Sequence, residues 1–338
     1  MAIILNSFPI PLPLPSTTSL PFNILLWLSG CSLPKANVRV IKALVVLYYC
    51  QVIRKQDMSR MKVAPLGGAC GAIISGLDLS SGLDDHAIGS IRQALLRHQV
   101  IFLRDQCLTR EQHKAFGRRF GPLLVHPQYA NLEGHPEVLP VLKEAHAQEN
   151  VGGVWHSDLS NLLVPPLGSI LYAKEIPPFG GDTMFANQYL AYETLSDGMK
   201  TLLGRMRAYH SSRVLSDRAT REDRNATRST KLRNDIDDDD DVNLHPVVRT
   251  HPETGRKSLF IDAPHTIAFE NMTEEESAPL LAYLVAHSTM PEFTCRFRWE
   301  TGSMAFWDNR CLLHYALNDY HGQRRYLERV TIRGTRPD

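Results

Sequence analysis

Cysteine is scarce and scattered in this chain. The six residues Cys31, Cys50, Cys70, Cys107, Cys295 and Cys311 include no C-x-x-C pair. That argues against a disulfide framework or a structural zinc site and fits a reducing compartment, so a cytoplasmic location is expected. An excess of one charge is missing as well. Lys and Arg number 37 against 36 Asp and Glu, a formal net charge of +1, and no global field draws the chain to nucleic acid. Long apolar runs are lacking. The stretch Val38 to Ile53 is interrupted by Arg39 and Lys42 and then meets Arg54. It falls below the roughly 20 residues a spanning helix needs, and no membrane partner is expected. The turn Gly67-Gly68-Ala69-Cys70-Gly71 lacks phosphate-loop spacing and a following Lys-Ser/Thr pair, so it reads as structure rather than as a nucleotide site.

What is present suffices for one large core. The chain has 338 residues, 43% of them hydrophobic, with 21 Gly, 21 Pro and many short apolar runs, a turn-rich β pattern. Residues 1–60 differ from the rest, with Pro9, Pro11, Pro13, Pro15, Pro21 and Pro34 ahead of the apolar run. Their order does not match a secretory signal. Three readings compete: an upstream extension of the gene model with Met58 or Met61 as the start, a divergent targeting segment, or a weak anchor. The first is favoured because a strand-like alternation begins at Met61-Lys62-Val63, and low order is expected before it.

Residues 61–338 read as a single domain. Helical spacing covers Asp84 to His98 and Tyr189 to Met206. Thr109 caps a helix from Arg110 to Phe120, and Thr273 with Glu276 has capping-box spacing for a helix to Thr289. Strand-like runs include Val100–Leu103, Gly168–Lys174, Met184–Ala186, Val247–Arg249, Ser258–Asp262, Cys295–Trp299, Met304–Trp307 and Arg325–Ile332. Short strands around a few helices predict an α+β protein with a β-sandwich or jelly-roll core. The stretch at about 211–243 carries Arg213, Arg218, Arg221, Arg224, Arg228 and Arg233, then an acidic run from Asp237 to Asp241. That composition holds little to bury, and a solvated loop and a mobile lid over a ligand are the two readings it allows.

The chemistry centres on Trp155-His156-Ser157-Asp158. Read as a strand, it projects His156 and Asp158 to one face. A nitrogen and a carboxylate side by side are two-thirds of the facial triad of non-haem Fe(II) oxygenases. The C-terminal stretch supplies a distant His314, then Arg325 at the eleventh position after it, and Arg329 four residues on, on the same face of a strand. A guanidinium matches a carboxylate in two-point fashion, which suits Arg325 to a dicarboxylate. Asp308 and Asn309 read as braces for the strand bearing His314. Other histidines, such as His86, His98, His113, His210, His265, His287 and His321, sit in helices or loops without a partner at ligand spacing and read as structural or solvated.

With the blocks Gly180-Gly181-Asp182-Thr183, His245-Pro246-Val247-Val248-Arg249-Thr250-His251-Pro252, Trp307-Asp308-Asn309-Arg310 and the final Arg324-Arg325, the chain resembles the Fe(II)- and 2-oxoglutarate-dependent taurine/2,4-dichlorophenoxyacetate dioxygenases from about Met61 to Pro337. The resemblance implies a double-stranded β-helix core with flanking helices. It also implies Fe(2+), 2-oxoglutarate and O2, with His156, Asp158 and His314 as metal ligands. Thr183 joins Arg325 at the distal carboxylate of 2-oxoglutarate, and His126, Tyr129 and Arg329 face a small anionic organic substrate. Decarboxylation of 2-oxoglutarate to succinate would be coupled to hydroxylation of taurine or another sulfonate, with alkyl sulfates and aryloxyalkanoates as alternatives. Val151-Gly152-Gly153-Val154 departs from the asparagine-rich run of the taurine enzymes. Outside this class stands a silent β-barrel binding module, against which all three ligands and Arg325 are present. A halogenase would lack Asp158, and a zinc hydrolase has no use for Arg325. A homo-oligomer is left open.

Overall fold

The computed structural model describes residues 61–213, 218–236 and 242–338. The expectation of low order over residues 1–60 lies outside the described residues. Why the central strands are apolar on both faces follows from what covers them. Val100–Leu103 is buried at every position. Ile101 and Leu103 turn to one side with Ile170, Tyr172, Met304, Phe306, Val330 and Ile332. Val100 and Phe102 turn to the other with Leu171, Ala173, Ala305, Trp307 and Leu327. This is the period-two alternation of a pleated strand, applied at the centre of a sheet covered on both faces.

That sheet has eight strands. Lys62–Pro65, Ala72–Ser75, Val100–Leu103, Met304–Asp308, Gly168–Glu175 and Arg325–Ile332 follow in spatial order, and the last pairs with both Leu123–Leu124 and Val138–Lys143. Only Ala72–Ser75 with Val100–Leu103 is parallel in it. A smaller sheet, Thr294–Phe297, Thr183–Asn187 and Leu312–Ala316, faces its inner side. Phe102 stacks on Phe297 with ring centroids 4.0 Å apart and meets Phe185 edge-on at 5.6 Å. The two sheets close over one core as the jelly-roll, double-stranded β-helix of an α+β protein. Arg207–His210 with Asn243–Pro246 and Thr266–Phe269 forms a further small sheet, and Val248–Thr250 pairs with Lys257–Leu259 as a hairpin.

The helices start where their sequence caps them. Asp84 accepts from Ala87 N at the head of Asp85–His98, and Thr109 and Gln112 form a capping box for Arg110–Arg118. These two helices cover the outer face of the large sheet through Ile88, Ile91, Leu95 and Phe116. Thr273 and Glu276 make the second capping box, on Glu274–Ser288. The single helix expected over Tyr189 to Met206 is two, Gln188–Glu193 and Asp197–Leu203. Ser196 breaks the run by capping the second through Met199 N, a side-chain-to-backbone bond that competes with helix continuation. Among the described residues no helix is long and apolar enough to cross a membrane.

Within 211–243, residues 214–217 and 237–241 lie outside the described residues. The described part holds the helix Arg218–Thr227. Beyond it the chain is fixed by hydroxyls and by Leu232, buried against Tyr129 and Leu139. Thr230 Oγ1 accepts from Leu142 N at 2.8 Å and Ser229 Oγ from Glu144 N at 2.9 Å. These bonds cover the open edge of Val138–Lys143, which would otherwise present unpaired backbone groups. Thr230→Val is therefore expected to destabilise the protein by about 1–3 kcal/mol, the penalty for a buried N–H without a partner. Urea unfolding of the variant against the parent measures it.

Candidate active site

His314 sits on Leu312–Ala316, and a single antiparallel bridge brings His156 beside it. His156 N donates to His314 O at 3.1 Å and His314 N donates to His156 O at 2.9 Å. The strand expected over Trp155–Asp158 does not form. The chain leaves the ladder after one bridge because Ser157 N donates to Asp262 Oδ2 and Ser157 Oγ to Asn309 O, both at 3.0 Å. A turn with Leu159 at φ 50° follows. His156 and Asp158 thus converge through a turn, not through a pleat.

The convergence is close. Asp158 Oδ1 lies 3.9 Å from His156 Nε2 and 3.8 Å from His314 Nε2, and the three ligand atoms lie within 4.8 Å of one another. His156 Nδ1 lies 2.8 Å from Val154 O. A carbonyl only accepts, so Nδ1 carries the proton and Nε2 keeps its lone pair for the centre. Burial, with His156 adjacent, pushes His314 down to about 3, and burial also lowers His156, so both imidazoles are neutral donors. Burial alone would raise the Asp158 carboxyl, but Arg329, with Ser169, holds it well below the usual carboxylate range. Arg329 Nη1 donates to Oδ1 and Ser169 Oγ to Oδ2 at 2.7 Å. Two neutral nitrogens and one carboxylate facing a common point suit a divalent iron ion.

A second group that could hold an ion, His251, Asp308 and Cys311, is already engaged. Asp308 accepts from Arg310 Nε at 2.8 Å and Nη2 at 2.6 Å, and His251 Nε2 lies 3.0 Å from it. Asn309 accepts from Trp307 Nε1 and, through its carbonyl, from Ser157. It braces both arms of the triad.

Alternation along Arg325–Ile332 turns Arg325 and Arg329 to the inner side with Leu327. Neighbouring Arg324 turns out to Glu144 and Glu175. Arg325 is buried, and its Nε and Nη2 have no hydrogen-bond partner among the described residues. Trp299 lies 5.8 Å from its guanidinium and donates to Thr183 Oγ1 at 2.9 Å, leaving the Thr183 hydroxyl proton to donate elsewhere. Gly181 lies against this arginine at φ 70°, and a Cβ there would sit 3.0 Å from Arg325 Cδ. Two unpaired N–H groups on a buried guanidinium are what a bound carboxylate would satisfy. The 2-oxoglutarate site therefore fits the residues present.

A cavity of about 500 Å3 opens beside the triad, with His126, Tyr129, His156, Asp158, His265 and Arg329 in its wall. His126 Nδ1 accepts from Gln128 N and Tyr129 N. Burial, then Arg329, pushes His126 down to about 3, so it offers a neutral Nε2–H. Tyr129 is buried against that ring, 4.9 Å between centroids, and bridges to Leu232. His265 corrects the reading of it as structural or solvated. It lines the cavity, and Asp262 lies 3.0 Å from its Nδ1. Burial lowers His265, but Asp262 outweighs it and the net shift is upward. Asp262 Oδ2 also takes Ser157 N and Ser160 Oγ, clamping the turn that carries Asp158. The i, i+3 spacing of Asp262 and His265 was the available signal, but the clamp spans more than a hundred residues.

The model of the family described as taurine catabolism dioxygenase TauD, TfdA family matches residues 62–331. An α-ketoglutarate-dependent sulfate ester dioxygenase of Pseudomonas putida is 34% identical over 280 residues, 82% of this chain and 91% of that protein. An α-ketoglutarate-dependent 2,4-dichlorophenoxyacetate dioxygenase of Cupriavidus pinatubonensis is 35% identical over 283 residues, 79% of this chain and 96% of that protein. The crystal structure of a taurine dioxygenase from Burkholderia xenovorans is similar with a TM-score of 0.69 at 38% identity, covering 82% of this chain and 92% of that one.

Asp262→Asn keeps the shape of the clamp and removes its charge. It is expected to weaken Mn(II) binding about 10- to 100-fold, the usual effect of losing a group that orients metal ligands. Titration followed by the electron paramagnetic resonance of free Mn(II) reads this directly.

Proposed function

The chain belongs to the taurine catabolism dioxygenase TauD, TfdA family and is an α-ketoglutarate-dependent (2-oxoglutarate-dependent) dioxygenase using Fe(II), and from that premise we propose that it hydroxylates a small organosulfonate or alkyl sulfate at the carbon bearing the anionic group. In this reading His156, Asp158 and His314 hold the ferrous ion. Arg325 and Thr183 hold the distal carboxylate of 2-oxoglutarate, and His126, Tyr129 and Arg329 face the substrate. The ion, when bound, supplies O2 activation coupled to decarboxylation of 2-oxoglutarate.

The chain's own residues do the rest. Arg325 and Thr183 fix one end of the cosubstrate, so its keto acid end is presented in one orientation. His126 donates its Nε2–H to an anionic oxygen. Arg329, drawn back by Asp158, holds the carboxylate ligand in place while its remaining N–H groups face the cavity. Burial of the triad keeps stray water from the reacting centre. Hydroxylation beside a sulfonate gives an unstable adduct: R–CH2–SO3⁻ with O2 and 2-oxoglutarate yields R–CHO, HSO3⁻, succinate and CO2. An alkyl sulfate yields the aldehyde and sulfate by the same route.

The observation that carries the substrate reading is the cavity. Its volume of about 500 Å3 lies in the range that holds drug-sized ligands, larger than a two-carbon sulfonate requires. Val151, Val154, Leu159 and Pro264 in its wall suit an apolar body behind the acidic group. With Fe(II), 2-oxoglutarate and ascorbate, hexanesulfonate or hexyl sulfate is expected to raise succinate formation at least tenfold over the substrate-free rate, with one sulfite or sulfate per succinate. Stimulation by 2,4-dichlorophenoxyacetate alone, with release of the phenol, would reject the sulfonate and sulfate reading.

A further inference from the structure

The cationic groups in the cavity wall can be matched with carboxylates one by one. Arg329 donates to Asp158. Arg228 pairs with Glu149, Nε to Oε2, at 2.9 Å. His265 is held by Asp262. Arg224 lines the same wall, and among the described residues its guanidinium has no ion pair and no hydrogen bond. It lies one helical turn before Arg228, which follows the helix Arg218–Thr227 and donates its N–H to Arg224 O at 3.0 Å, so the two lie on one side of the end of that helix. The positions three and four residues from it, Thr220, Arg221, Thr227 and Arg228, offer no acid, and Glu222 is taken by Arg218 at 2.7 Å. Glu149, the acid across the cavity wall, is taken by Arg228.

Two arginines one turn apart repel, and among the described residues no carboxylate offsets Arg224. A half-buried guanidinium left unmatched in a concave wall raises the local positive potential and draws an anion into the cavity. Its planar fork meets two oxygens of a sulfonate, sulfate or carboxylate at once.

We propose that Arg224 binds the anionic group of the prime substrate, so that the Arg218–Thr227 helix, outside the β-helix core, selects for acidic substrates. This rests on the reading of the prime substrate as an organic anion. Arg224 then acts with His126 and Arg329: they offer donors from the core, and it offers the unmatched charge. The polar composition of this helix, which in sequence suits a solvated surface, is explained by the side of it that faces the cavity.

The test is calorimetric titration, without O2, of the protein loaded with Fe(II) and 2-oxoglutarate. The probes are hexanesulfonate, hexyl sulfate, 2,4-dichlorophenoxyacetate and, as the neutral counterpart, 1-hexanol. Arg224→Gln is expected to raise the Kd of the best acidic probe tenfold or more and to leave that of 1-hexanol within twofold. Arg224→Lys, which keeps the charge and loses the fork, is expected to fall between. The half-buried position makes both variants compatible with folding, and the 2-oxoglutarate Kd of each reports whether the core is intact. Equal affinity of parent and Arg224→Gln for every acidic probe that binds the parent would overturn the assignment and leave the anionic substrate standing. Failure of all three acidic probes to bind a parent protein that binds 2-oxoglutarate would overturn the anionic substrate, and the role of Arg224 with it.

Discussion

A buried carboxylate governs this structure. Asp158 is 4% exposed, and a charge taken so far from water is tolerated only with partners at hydrogen-bond distance. Its partners come from well-separated parts of the chain. Arg329 reaches it from the last strand, Ser169 from the strand beside that one, and two imidazoles close the remaining side. Removing Arg329, the one cation among them, leaves an uncompensated charge in the core. Arg329 and Ser169 keep the carboxylate ionised and burial keeps the imidazoles neutral, which is the protonation state a metal requires of its ligands.

The sandwich explains how so many groups arrive at one place. Odd-numbered positions of Arg325–Ile332 face inward, which brings Arg325 and Arg329 into the interior, while Val330 and Ile332 pack outward under the helices. Neither arginine could shift by one residue without exchanging its place with a core side chain. The two brackets work on the turn rather than on the strands. Asp262 takes Ser157 N and Ser160 Oγ, and Asn309 takes Ser157 Oγ. Ligand geometry and cavity wall are therefore coupled through Asp262, which also orients His265.

Much of this could be read from local chemistry. The two capping boxes and the inward pair Arg325 and Arg329 depend only on spacing a few residues apart, and spacing is visible in a sequence. The three residues that the fold brings together, His156, Asp158 and His314, were visible too, but not the means of their approach. Alternation suggested a strand at His156–Asp158, whereas the bond from Ser157 to Asp262 pulls the chain into a turn, and no local pattern encodes a partner so distant. His265 was set aside for the same reason. The helix over Tyr189 to Met206 broke at Ser196, where apolar spacing continued but a cap intervened. The arginine-rich stretch held an ordered helix because Ser229 and Thr230 bond the edge of a strand far away in sequence, and composition carries no record of that edge.

Crystals of the protein grown with Mn(II) and N-oxalylglycine, a non-reacting analogue of 2-oxoglutarate, test the central claim through anomalous scattering at the manganese edge. A single strong peak is predicted, bounded by Nε2 of His156, Nε2 of His314 and the carboxylate of Asp158, with the far carboxylate of the analogue on Arg325. A peak at His251, Asp308 and Cys311 instead, or an analogue whose far carboxylate avoids Arg325, would contradict it.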